Sequence, residues 1–118
     1  MRSTLLFVAV LAGALVAAAE QPYMVGGSVS PPQVVSKKEP EYTPEALAAR
    51  REGEARIALV ITTEGLPSDI HEIGQPLGYG LDEKAVEAVQ QWRFRPGEKS
   101  GRPVPVRMQI ELNFHLPH

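Results

Sequence analysis

The chain has 118 residues, a length that allows one domain, and no cysteine, which excludes disulfide staples, thiol catalysis and thiolate metal sites. Its formal charge of −2, with 12 basic and 14 acidic residues interleaved, argues against the basic footprint of a nucleic-acid binder.

Met1-Arg2-Ser3 gives a positive start, Leu5 to Ala19 is an uncharged apolar run, and Glu20-Gln21-Pro22 ends it. That is the layout of a secretory signal peptide over residues 1–19, with Ala17-Ala18-Ala19 as the small-residue cleavage step, so the mature chain is expected to begin near Glu20. The rival reading is a short uncleaved membrane anchor, although a spanning helix usually needs about 20 apolar residues. Residues 20–39 read as a Pro- and Gly-rich lead-in, broken at Gly26-Gly27 and Pro31-Pro32. Within it Val34-Val35 suggests a short strand, closed by Lys37-Lys38-Glu39-Pro40.

The domain proper is expected over residues 40–116. Thr43-Pro44-Glu45 is a helix start: a capping hydroxyl, a proline at the first helical position and an acid at the positive helix end. The helix is predicted to run through Ala46 to Ala49 and on to Arg50-Arg51, with Gly53 as its stop. From Ala55 the period becomes two, with Ile57, Leu59 and Ile61 on one face, which predicts a strand. Thr63-Glu64-Gly65 then turns the chain into a weaker strand, Pro67 to Ile73, with edge character because Pro67 cannot donate to a ladder.

A loop with Gly74, Gly78 and Gly80 leads to a second helix beginning near Leu81-Asp82-Glu83, with Leu81, Ala85, Ala88, Val89 and Trp92 on one stripe and Arg95-Pro96-Gly97 as its end. Glu98 to Arg102 reads as a polar loop. The last segment alternates without a break: Val104, Val106, Met108, Ile110, Leu112 and Phe114 against Pro105, Arg107, Gln109, Glu111, Asn113 and His115. This predicts a long strand, apolar on one face and wet on the other. The order helix, strand, strand, helix, strand gives an α+β fold, a two-layer sandwich of helices on a sheet.

Trp92 and Phe94 are read as core rather than as an exposed platform. Asp69, His71 and Glu72 are read as solvated surface, because alternation sends residues 69 and 71 to the face opposite 72. His115 and His118 lie at a chain end, where fraying disfavours an ordered site. The glycine run before the second helix lacks the Lys and Ser/Thr of a phosphate loop. No catalytic residue, cofactor or metal is called, and no enzyme is expected.

Several features, taken in order, resemble the C-terminal domain of the TonB family of energy transducers. They are Pro40-Glu41-Tyr42 before a helix; Gly53 opening a strand that leads to Glu64-Gly65; Gly80-Leu81-Asp82 followed by Ala85 and Val89; Trp92-Arg93-Phe94-Arg95-Pro96; Gly101; Pro103-Val104; and Asn113-Phe114. The resemblance spans Pro32 to Leu116. It implies a three-stranded antiparallel sheet in the order second, first, third strand, with two helices on one face. It also implies a core of Tyr42, Ile57, Leu59, Leu81, Ala85, Val89, Trp92, Phe94, Val106, Met108, Ile110 and Phe114. It further implies a periplasmic module that binds the TonB box of outer-membrane transporters by β-augmentation on the last strand, in support of energy-coupled transport.

The partner-binding residues so implied are Glu39, Pro40, Arg107, Gln109, Glu111 and Asn113. The row from Arg107 to Asn113 is either a contact row or simply the wet face of a sheet, and sequence leaves open which of Gln109 and Glu111 turns its N–H outward. The alternative function is an adaptor that homodimerises through the same edge; an anchored chain would also join an inner-membrane complex. Two departures bear on transduction. No His precedes His71, and Gln21 to Glu39 could span only about 65 Å fully stretched, so the resemblance carries the binding domain and not the coupling helix.

Overall fold

The computed structural model describes residues 21–117, and the expected signal peptide, residues 1–19, lies outside them. The ten elements run β1 (Tyr23–Met24), β2 (Gln33–Ser36), α1 (Pro44–Ala48), β3 (Gly53–Ile61), β4 (Pro67–Ile73), α2 (Leu81–Gln90), β5 (Arg93–Arg95), β6 (Glu98–Lys99), β7 (Arg102–Pro103) and β8 (Val106–Phe114).

The two longest strands form the centre. β3 and β8 are antiparallel and in unbroken register from Gly53 opposite Phe114 to Ile61 opposite Val106. β4 returns along the other side of β3, so the order β4-β3-β8 is the one expected, and the fold is the expected α+β sandwich. Three details differ. A two-residue strand, β1, adds in parallel to β8, and two small two-stranded sheets stand apart, β2 with β5 and β6 with β7.

Alternation puts Ala55, Ile57, Leu59 and Ile61 on one face of β3, all fully buried. They pack with Leu112 and Phe114 of β8, Ala46 of α1 and Leu81, Ala85, Ala88 and Val89 of α2 in one cluster that also holds Trp92 and Phe94. Burial of each large aliphatic side chain there contributes about 1.5–3 kcal/mol. Val106 is fully buried in a satellite cluster with Val29 and Val104, while Tyr42, Met108 and Ile110 are half-buried against the main one.

α1 is shorter than the sequence suggests. The Thr43 hydroxyl accepts from the Ala46 N–H at 3.1 Å, as a cap should. The helix then closes early, because Arg50 takes positive φ (53°) while the Arg50 N–H donates to Leu47 and the Arg51 N–H donates to Ala46. Gly53 is thus no helix stop. It opens β3 at a φ of 153°, a backbone conformation that other residues rarely adopt, beside the Leu77 side chain.

α2 also ends before the expected point. It stops at Gln90, and Arg93–Arg95 is a strand paired with β2. Trp92 and Phe94 are two apart: on a helix they would diverge by about 200°, but at period two both reach the core. Burial of Phe94 therefore favours the extended form, and the rings lie 6.2 Å apart. The polar loop after it is a small hairpin, with Ser100 and Gly101 both at positive φ, as its two-residue turn requires.

The lead-in is packed onto the fold rather than trailing from it. Val29 is buried against Val104 and Val106, and the Ser30 N–H donates to the Glu98 carbonyl at 2.9 Å.

Candidate strand-docking edge

The sheet runs β1-β8-β3-β4, so its two borders are β4 on one side and, beyond the two residues covered by β1, β8 on the other, and they are not equivalent. β4 is blunted: it starts with Pro67, and a bulge sets Asp69 and Ile70 opposite the single residue Leu59, with Asp69 at positive φ (48°). β8 is nine residues long and keeps unbroken register with β3 throughout.

The direction of the β8 backbone groups follows from its neighbours. The Tyr23 N–H donates to the Pro105 carbonyl at 2.8 Å, and Tyr23 and Met24 pair in parallel with Val106 and Arg107. Residue 105 therefore faces away from β3, and because strand N–H and C=O groups alternate, residues 107, 109, 111 and 113 face away too. Gln109 and Glu111, being two apart, share a direction: both turn outward. The reading that one of them would point into the sheet is thereby corrected. Among the described residues β1 covers only the Val106 end, so the backbone groups of Gln109, Glu111 and Asn113 have no strand partner.

A groove of about 180 Å³ runs beside the uncovered stretch, lined by Lys37, Glu39, Pro40 and Trp92 on one side and Glu111, Leu112 and Asn113 on the other. The structure thus brings Glu39 and Pro40 to the same edge as Glu111 and Asn113. Arg107 and Gln109 lie further along β8. Arg107 is half-buried and donates to Asp69 at 3.3 Å, Glu111 lies 3.8 Å from Arg56, and Gln109 and Asn113 are exposed. Sequence reasoning missed Lys37 and the wall formed by Trp92. The Trp92 indole N–H donates to the Lys38 carbonyl at 2.9 Å and Lys37 Nζ sits 5.9 Å from the ring centre, a contact between residues 54 apart that no local pattern announces.

The other clusters have ordinary structural explanations. His71 lies within 3.1 Å of the Asp69 carbonyl on the open face, whereas Glu72 turns to the opposite side, toward Asp82. Burial first, then the hydrogen bond to Asp82 and the charges of Asp82 and Glu83, push the Glu72 carboxyl up to about 7. No donor reaches its buried Oε2, and a proton shared with Asp82 is the natural remedy. For Asp82 burial alone would act upward; hydrogen bonds from Glu72 and from the N–H groups of Leu77 and Gly78 outweigh it and hold the carboxylate below its usual value. Those bonds also occupy loop N–H groups that an anion would need. Among the described residues no three His, Asp or Glu side chains gather as metal ligands, and no helix is long and apolar enough to cross a membrane.

Fold and site together define the class: a small α+β domain with two helices on one sheet face and a groove beside an open strand edge. A family model described as Gram-negative bacterial TonB protein C-terminal matches residues 38–116, and the chain belongs to that family. It is 26% identical over 84 residues to Protein TonB of Escherichia coli (strain K12), a match covering 71% of this chain and 35% of that protein, so the chain corresponds to about a third of that relative. The fold is similar to the solution NMR structure of the Pseudomonas aeruginosa TonB CTD, with a TM-score of 0.59, 23% identity, and coverage of 80% of this chain and 94% of that one.

Proposed function

We propose that this chain is a TonB-type protein-binding module, exported to the periplasm, that pairs the outer edge of β8 with extended segments of outer-membrane transporters and so supports energy-coupled transport. It acts by binding and not by catalysis. The observation that carries this reading is the run of outward backbone groups at Gln109, Glu111 and Asn113, open to a groove that an extended peptide can enter. Backbone bonds contribute about 0.5–1.5 kcal/mol each, the entropy of association offsets much of that gain, and weak binding is therefore expected. Side chains at the groove, Glu39 and Asn113 among them, then select among partners.

The test is a titration with synthetic heptapeptides taken from the periplasm-facing segments of TonB-dependent transporters, followed by amide shifts along β8. Shifts centred on residues 109, 111 and 113 are expected. Shifts confined to a helix face, or none at millimolar peptide, would remove edge pairing from consideration. Sedimentation run alongside detects the adaptor alternative, a dilution-resistant dimer indifferent to peptide.

A further inference from the structure

The edge proposed to receive a partner already carries a strand of the chain itself. Tyr23 and Met24 pair in parallel with Val106 and Arg107, and this ladder directs the Arg107 N–H toward the Tyr23 carbonyl. The hold is slight. Met24 is 67% exposed, Val25 45% and Tyr23 37%, and Lys99 Nζ lies 5.0 Å from the Tyr23 ring centre. Just downstream the attachment is firm, with Val29 buried against Val104 and Val106 and bridged to Lys99. Between the two parts lies a tight turn through Gly26 and Gly27, both at positive φ, closed by backbone hydrogen bonds in both directions between Gly26 and Val29 at 3.1 and 3.0 Å.

A strand with little buried surface, hung from a turn that is itself fixed at Val29, persists because this short tether keeps its local concentration high, in the millimolar range or above. We infer that β1 is a resident strand on the docking edge, displaced when an incoming segment pairs along the whole of β8. The inference rests on the edge reading for its significance. A short partner confined to Gln109–Asn113 binds beside β1; a longer one must evict it. The lead-in thereby sets how much of the edge is open and favours partners long enough to repay the displacement.

The experiment uses the full chain. Y23P removes the N–H that donates to Pro105, and a second variant carries Tyr23→Gly, Met24→Gly and Val25→Gly; the exposure of these side chains leaves the core untouched. The probe is a synthetic peptide of residues 21–26. Amide exchange at Arg107 is expected to be at least about 10-fold slower in the parent than in either variant. The peptide should shift the Arg107 and Gln109 resonances of the variants at concentrations about 10-fold below those the parent needs. Equal exchange at Arg107 in all three chains, or equal response to the peptide, overturns the inference. Transporter heptapeptides that fail on every chain while the 21–26 peptide still discriminates would sink the transporter reading and leave the resident strand standing.

Discussion

The indole N–H of Trp92 donates to the backbone carbonyl of Lys38 across 2.9 Å, so the one Trp of the chain is at once a buried part of the core and the peg that fixes the wall of the groove. If a partner enters the groove as proposed, stability and binding are coupled through this ring. Trp92→Ala should cost roughly 3–5 kcal/mol, because the neighbours cannot collapse into the space of an indole. Trp92→Phe keeps most of the packing but loses the bond to Lys38, about 1 kcal/mol, and should weaken peptide binding more than that loss of stability suggests. Denaturant unfolding with a parallel peptide titration measures both. A change below about 1 kcal/mol for Trp92→Ala would show that the ring is not packed.

Proline tests the edge directly. Gln109→Pro and Glu111→Pro each remove an outward N–H and should leave the circular dichroism spectrum unchanged while lowering peptide affinity at least about 10-fold. Ile110→Pro removes an N–H bonded to β3 and should unfold the sheet. Gln109→Ala, which keeps the backbone donor, should bind nearly as the parent does. Normal binding by both outward proline variants would refute pairing at this edge.

The pair Glu72 and Asp82 gives the domain a pH dependence of known sign. The Glu72 carboxyl is raised from its ordinary value to about 7, so the folded state holds its proton more tightly. Its stabilisation is full below the ordinary carboxyl range and is lost as pH rises through about 7. Asp82, held low, acts in the opposite sense and loses its contribution in strong acid. Since Glu72 is partly open to water, the fall between pH 5 and 8 should be about 1 kcal/mol, well short of what the shift would mean in a dry site. Glu72→Gln donates to Asp82 at every pH and should flatten the profile. Urea midpoints at pH 5 and pH 8 for both chains check it, and an unchanged slope in the variant would assign the dependence elsewhere.

Gly65 is irreplaceable for two separate reasons. Its φ is 81°, and a Cβ would lie inside the Phe94 carbonyl, while the Phe94 N–H donates to the Gly65 carbonyl at 2.9 Å. Gly65→Ala should cost about 2 kcal/mol or more, read as a lower thermal midpoint. Gly26→Ala, with open space around it but a positive φ, should cost less.

What sequence could reveal divides along the range of the interactions. β3, β4 and β8 were legible because period-two alternation is a local signal, and Thr43-Pro44 announced α1 for the same reason. The end of α1 was not, since Arg50 takes the left-handed conformation without glycine's help. β5 was concealed because Trp92 lies at helical spacing from Val89 and at strand spacing from Phe94, and only the pairing with β2 decides between them. Along β8 the solvent-facing positions of Gln109, Glu111 and Asn113 follow from alternation, but the approach of Lys37 to Pro40 across the groove, and of Tyr23 to Val106, depends on contacts between distant parts of the chain.

The unequal edges of the sheet limit how these molecules can associate. A fibre of stacked sheets needs two adhesive borders on every unit, one to receive and one to offer. Here Pro67 and the bulge at Asp69 spoil one border, and among the described residues the receptive border is the stretch of β8 beyond β1. Two copies joined through β8 would consume both receptive borders and stop at a pair. An open strand of this kind can therefore stay exposed without seeding a filament.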